Sequence, residues 1–146
     1  MNISIIGFGY IGAVIGAVLS NLGNKIVAID NNSNCIEKLN LGISNVPEPS
    51  LRALVKKGVK NGTLSGSLGY ESVADSEVIL VTVGTPLSNQ FDADLDAIRS
   101  VFFNLANHVK SGQIIMVKST VPPGVTRQMA EEYFGDRDDI YVGFSP

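Results

Sequence analysis

The chain has 146 residues, 45% of them hydrophobic and 17% charged, which suits one compact domain and excludes the disordered class. A net charge of −3 argues against a nucleic-acid partner, which calls for a basic face. The single cysteine, Cys35, cannot form an internal disulfide and fits a reducing, cytoplasmic setting, and no apolar run reaches the about 20 residues that cross a bilayer.

Ile3 to Val18 is apolar enough to imitate a secretion signal. It lacks a basic start, however, and glycines interrupt it, so it reads as folded structure. Asn2 to Ile6 is a short β-branched run with a glycine behind it, as in a buried parallel strand. Tyr10 to Leu22 carries apolar or small residues nearly all round and predicts a mostly buried helix stopped by Gly23. Lys25 to Ile29 is a second strand. Ser33 to Leu41 is a helix facing Cys35, Ile36 and Leu39 inward, with Gly42 after it. "ISNVPEP", 43 to 49, is a loop because its prolines suit neither a helix interior nor a central strand.

Ser50 is the expected cap of a third helix reaching about Lys60, and "NG" at 61 and 62 makes a turn. Thr63 to Leu68 is a weak strand and Val78 to Val83 a strong one, leading into "GTP". Asp94 to His108 has the apolar spacing of an amphipathic helix. Ile114 to Val117 is a strand followed by "KSTVPPG". A helix from about Val125 to Phe134 and a strand at Ile140 to Phe144 close the count. Six strands, most followed by a helix, call for an α/β, Rossmann-type doubly wound parallel sheet in the order 3-2-1-4-5-6, as one domain spanning 1–146.

Glycines at 7, 9 and 12 lie between the first strand and the first helix. Gly7 permits the tight turn, Gly9 leaves room for a pyrophosphate, and Gly12 lets the helix pack close to the sheet. The backbone N–H groups of Tyr10 and Ile11 then face an anion at a helix N-terminus. Asp30 follows Gly12 by 18 residues, near the about 20 expected of the acid that holds the adenosine ribose. Its charge repels the extra phosphate of NADP, and no arginine follows it, so NAD is the expected cofactor.

Two further segments leave strands at the same sheet edge, where ligands of such folds gather. Gly84 and Thr85 in "VTVGTP" are candidates for the ribose and nicotinamide side. Ser119 and Thr120 in "VKSTVPPG" offer hydroxyls, and a turn or capping role suits them as well as ligand contact. Cys35 reads as a packing residue. His108 has no local catalytic partner. Asp92, Asp94 and Asp96 read as an acidic helix N-terminus rather than a metal site, and Asp138 and Asp139 as a surface turn. No metal is expected.

Taken together, "GFGYIGAVIGAVLSNLGNKIVAID", "VPEPSL", "VTVGTP" with "DADLDAI", "VKSTVPPG" and "GFSP" resemble the amino-terminal part of nucleotide-sugar 6-dehydrogenases, in order and spacing along essentially the whole chain. These include the UDP-glucose, UDP-N-acetylmannosamine and GDP-mannose enzymes, and the resemblance implies a parent enzyme of polysaccharide biosynthesis, of the UDP-glucose type, that oxidises the sugar C6 hydroxyl to a carboxylate in two NAD-dependent hydride steps. It implies that Gly7, Gly9, Tyr10, Ile11 and Gly12 hold the pyrophosphate and Asp30 the ribose. Val83, Gly84 and Thr85 then line the ribose and nicotinamide region, Ser119 and Thr120 lie beside the nicotinamide, and Thr120 helps position catalytic water.

Two departures accompany the resemblance. Cys35 stands where the family usually has Lys or Arg, and the sequence ends at Pro146, where the family continues into a catalytic glutamate. The family's nucleophilic cysteine, lysine and aspartate, its long dimer-building helix and its sugar domain are absent. The chain is therefore expected to bind NAD without turnover, as a monomer, while the parent is a homodimer acting on a nucleotide sugar. Competing readings are a 6-phosphogluconate or hydroxyacyl-CoA type dehydrogenase and a non-catalytic NAD-sensing module.

Overall fold

A computed structural model describes residues 1–86 and 94–146. The apolar runs become β1 (Asn2–Ile6), β2 (Lys25–Ile29), β3 (Leu64–Ser67), β4 (Val78–Val81), β5 (Ile114–Val117) and β6 (Tyr141–Phe144). The helices are α1 (Tyr10–Asn21), α2 (Ser33–Asn40), α3 (Pro49–Lys60), α4 (Asp96–Ala106) and α5 (Val125–Phe134). The strands form one parallel sheet in the order β3-β2-β1-β4-β5-β6, as the alternation of elements predicts. Period-two side chains feed both faces. Ile5 joins the core beneath α1 and α3 with Ala17, Ile26 and Val55. Its neighbour Ile6 joins the opposite core with Ile79, Phe102 and Met129.

The register positions the site. Ile6 pairs with Ile29 on one side and Val81 on the other, and Val81 pairs with Val117. The carboxyl ends of β2, β1, β4 and β5 are therefore level. The strand order reverses between β1 and β4, where an open α/β sheet forms its crevice.

Several local expectations are corrected. Helix α3 starts at Pro49, and its cap is Glu48 rather than Ser50: the Glu48 carboxylate accepts from the Ser50 N–H at 3.4 Å. Proline at the first helical position is harmless because that N–H has no helical partner. Helix α4 is shorter than 94–108, with Leu95 and Asn107 at its ends. Strands β3, β4 and β6 are likewise trimmed, and a 3₁₀ turn at Glu71–Asp75 was not anticipated.

Helix α1 is not buried all round. It buries its small residues Gly12, Ala13, Gly16, Ala17 and Ser20, while Ile11 and Val18 are exposed. Close approach explains the choice: a Cβ on Gly58 of α3 would stand 2.6 Å from Ser20 Oγ, and one on Gly16 2.9 Å from the Phe8 ring. No helix among the described residues is long and apolar enough to cross a membrane.

Ahead of β6, Arg137 grips Asp139 through Nε at 3.0 Å and Nη2 at 2.8 Å, and reaches the Val109 carbonyl at 3.3 Å. Those hydrogen bonds hold the Asp139 carboxyl down from 3.8 to about 2. A carboxyl lowered in the folded state stabilises above its unfolded pKa and loses that contribution as pH falls through the folded one. Asp139→Asn is expected to lower the melting temperature slightly at neutral pH, with the gap to wild type closing between about pH 4 and pH 2. A gap that stays constant over that window contradicts the assignment.

Candidate functional site

At the end of β1 the chain turns sharply. Gly7 has φ +88°, and a Cβ there would press on Val83 N at 2.9 Å. Its N–H is held by the Ile29 carbonyl at 2.8 Å. A Cβ on Gly12 would drive into the Gly7 carbonyl oxygen and stand 2.8 Å from Thr82 Oγ1. Gly12 thus brings α1 onto the turn itself, a closer duty than packing on the sheet. Gly9 is the opposite case: among the described residues nothing lies within 4 Å of a Cβ built on it, so its missing side chain leaves open space between them.

Gly9 is also the N-cap of α1, with no side-chain cap and no acid in the first turn. The first helical bond runs from the Ala13 N–H to the Gly9 carbonyl at 3.0 Å. The N–H groups of Tyr10, Ile11 and Gly12 precede it and have no helical acceptor. These donors, with the positive end of the helix dipole, favour an anion in the space that Gly9 leaves open.

Asp30 binds this turn to β2. Its Oδ2 accepts from the Phe8 N–H at 2.7 Å and its Oδ1 from the Asn32 N–H at 2.9 Å. A carboxylate has about four acceptor sites, so two remain for a ligand's hydroxyls.

Asp30 lines a crevice of about 530 Å³ together with Gly7, Gly9, Val83 and Gly84. The structure thus gathers these five anticipated residues around one space. Tyr10 and Ile11 stand exposed at the start of α1, and Gly12 lies buried behind the turn. Thr85, Ser119 and Thr120 lie farther along the exits of β4 and β5.

Other walls of the crevice escaped the sequence reading. Thr82 donates to the Gly7 carbonyl at 2.6 Å, and its one outward signal was a hydroxyl inside the apolar run "VILVTV". Tyr70, Ser100 and Asn104 complete the far wall with no local signature. Tyr70 is half-buried, and burial, then the charge of Asp30, raises its phenol pKa. Its ring lies against His108, centroids 5.9 Å apart. His108 Nδ1 is 2.8 Å from the Asn104 carbonyl, so this histidine engages the last turn of α4.

The Ser119 hydroxyl is turned inward. It is buried and donates to the Val83 carbonyl at 2.7 Å, while Thr85 Oγ1 donates to the Thr120 carbonyl at 2.6 Å. Thr120 itself is exposed. Among the described residues no three His, Cys, Asp or Glu side chains converge as a metal site. Asp94 and Asp96 sit at the start of α4, with Asp94 Oδ1 accepting from the Asp96 N–H at 3.0 Å. Asp92 lies outside the described residues.

Cys35 is a packing residue, as expected, with Sγ 3.7 Å from the Phe8 carbonyl. Burial pushes its thiol pKa up. Since the thiolate is the reactive form, the folded protein is expected to react with a thiol reagent at neutral pH far more slowly than the denatured chain. Equal rates would show that this helix face opens readily.

The whole chain, residues 1–146, matches the model of the UDP-glucose/GDP-mannose dehydrogenase family, NAD binding domain. It is 38% identical over 150 residues to UDP-glucose 6-dehydrogenase YwqF of Bacillus subtilis, covering 100% of this chain and 34% of that protein. It superposes on the crystal structure of a ternary complex of GDP-mannose dehydrogenase from Pseudomonas aeruginosa with a TM-score of 0.91 and 34% identity, over 100% of this chain and 36% of the other. The structure of UDP-D-ManNAc dehydrogenase from Pyrococcus horikoshii gives a TM-score of 0.92 and 31% identity, with the same coverage. The chain spans about a third of the length of these relatives. With a family model that matches along its whole length and a relative 38% identical over all of it, the chain belongs to the UDP-glucose/GDP-mannose dehydrogenase family as its NAD-binding domain.

Proposed function

We propose that this chain is the cofactor domain of an NAD-dependent nucleotide-sugar 6-dehydrogenase of the UDP-glucose type. The observation that carries the reading is the open space at Gly9, bounded by the free N–H groups of α1 on one side and Asp30 on the other. Gly7 and Gly12 shape the turn so that Tyr10 and Ile11 present their N–H groups to the pyrophosphate. Asp30 accepts the ribose hydroxyls and repels the additional phosphate of NADP. Val83, Gly84 and Thr85 border the nicotinamide half, with Ser119 and Thr120 beside it, and exposed Thr120 orients water for the second oxidation. NAD, when bound, accepts hydride from the sugar carbon.

The UDP-glucose assignment is supported by the identity to the Bacillus subtilis enzyme. In this reading the parent is a cytoplasmic homodimer serving polysaccharide biosynthesis, and a sugar-binding domain and dimer helix belong to the parent outside residues 1–146. Oxidation to the carboxylate passes through covalent chemistry that needs an accessible nucleophile, and the buried Cys35 does not supply one. The 146-residue chain is expected to bind NAD in titration calorimetry, to bind NADP at least about tenfold more weakly, and to produce no NADH with UDP-glucose. Equal affinity for the two dinucleotides removes the role of Asp30. Rapid NADH formation removes the assignment as a cofactor domain alone.

A further inference from the structure

Val83 and Gly84 form part of the crevice wall, yet they lie beyond the end of β4, where ladder pairing gives out. The N–H groups of Lys118 and Ser119 both turn back to the Val81 carbonyl, at 2.8 and 3.2 Å. Among the described residues nothing lies within 4 Å of a Cβ position on Gly84, and glycine is the residue with most backbone freedom to lose. Among the described residues, a reciprocal pair of hydrogen bonds holds the segment on either side of Gly84. Ahead of it, the Val83 carbonyl accepts from Ser119 Oγ at 2.7 Å. Behind it, Thr85 Oγ1 donates to the Thr120 carbonyl at 2.6 Å. Each strand exit thus lends one hydroxyl to the backbone of the other. A hydroxyl has one proton to donate, and both are committed within the protein.

From this arrangement we infer that Ser119 and Thr85 are positioning residues, a clasp that brackets Gly84 and sets the crevice wall before NAD arrives. The inference deepens the reading above, since it rests on Val83 to Thr85 bordering the nicotinamide half of the cofactor. Ser119 then acts on NAD through the Val83 backbone rather than by touching it.

The test compares NAD with ADP, which engages the glycine turn and Asp30 but not the nicotinamide side. In titration calorimetry of the 146-residue chain, Ser119→Ala and Thr85→Val are expected to weaken NAD about tenfold. They are expected to leave ADP within about twofold of wild type. Thr85→Ser, which keeps the hydroxyl, restores NAD binding. In ligand-free protein, exchange of the Thr82 amide, which is bonded to the Ile6 carbonyl and leads into this segment, is expected to accelerate in Ser119→Ala. If Ser119→Ala does not fold, half-buried Thr85 carries the same comparison.

Loss of NAD and ADP binding in parallel would mean that the clasp merely supports the fold, and overturns the inference. So does weaker NAD binding with unchanged exchange in the free protein, which would make the hydroxyls direct ligands. Failure of the wild-type chain to bind either nucleotide overturns the cofactor-site reading first and this inference with it.

Discussion

Gly12→Ala and Gly9→Ala, three residues apart in one motif, are expected to fail in opposite ways. The added methyl at position 12 meets the Gly7 carbonyl oxygen and Thr82 Oγ1. The carbonyl belongs to a turn whose N–H is bonded to β2 and whose oxygen is held by Thr82, so it cannot move aside as a flexible side chain would. Overpacking of this kind costs typically 1–3 kcal/mol. At about 2–4 °C per kcal/mol for a domain of this size, the melting temperature should fall by about 2–12 °C. NAD binding should fall too, because the displaced turn no longer presents the N–H groups of α1.

At position 9 the backbone has φ −72° and ψ −153°, outside the left-handed region that demands glycine, and the methyl meets no described residue. Alanine there should leave stability unchanged or raise it by about 0.4–1 kcal/mol through the unfolded state. It should still weaken NAD by roughly ten- to a hundredfold, about 1.4–2.8 kcal/mol, because the methyl takes the space proposed for the pyrophosphate. Thermal melts and calorimetric titrations of both variants separate the two effects. Wild-type NAD affinity in Gly9→Ala would show that the open space is not where the cofactor lies.

Asp30→Ala is the second large effect. Its carboxylate accepts backbone N–H groups on both oxygens, from Phe8 and Asn32, and hydrogen bonds to a charged acceptor contribute about 1.5–3 kcal/mol each. The carboxylate is only half-buried, and water replaces part of what the alanine removes. A net loss of about 1–3 kcal/mol in stability is expected. The effect on the ligands should be lopsided. NAD should weaken by roughly ten- to a hundredfold as the ribose loses its acceptor, while NADP changes little because removing the carboxylate also removes repulsion of the extra phosphate. The preference for NAD should shrink towards unity. If Asp30→Ala keeps the full preference, another group makes that choice.

Much of this architecture can be read along the chain. Strand and helix periodicity depends on near neighbours, and the six runs, their alternation and the order of the sheet follow from it. The three glycines and Asp30 are legible for the same reason: a tight turn, a helix start and the end of the next strand are separated by the length of one helix. The caps were less legible, because Ser50 is of the residue type that ordinarily caps a helix and Glu48 is not, and the choice rests on Pro49 taking the first helical position.

What the chain order could not reveal are the contacts that folding makes across it. Thr82 reaches Gly7 over 75 residues and Ser119 reaches Val83 over 36. Neither pairing leaves a local pattern, because a hydroxyl can serve a ligand, a turn or a neighbouring carbonyl, and packing chooses among them. Tyr70, Ser100 and Asn104 become a crevice wall for the same reason. The spacing of residues thus points to the sheet and the cofactor, and the quoted motifs to the family they resemble. Which hydroxyls face that cofactor and which hold the backbone beneath it depends on how the strand exits come to lie side by side.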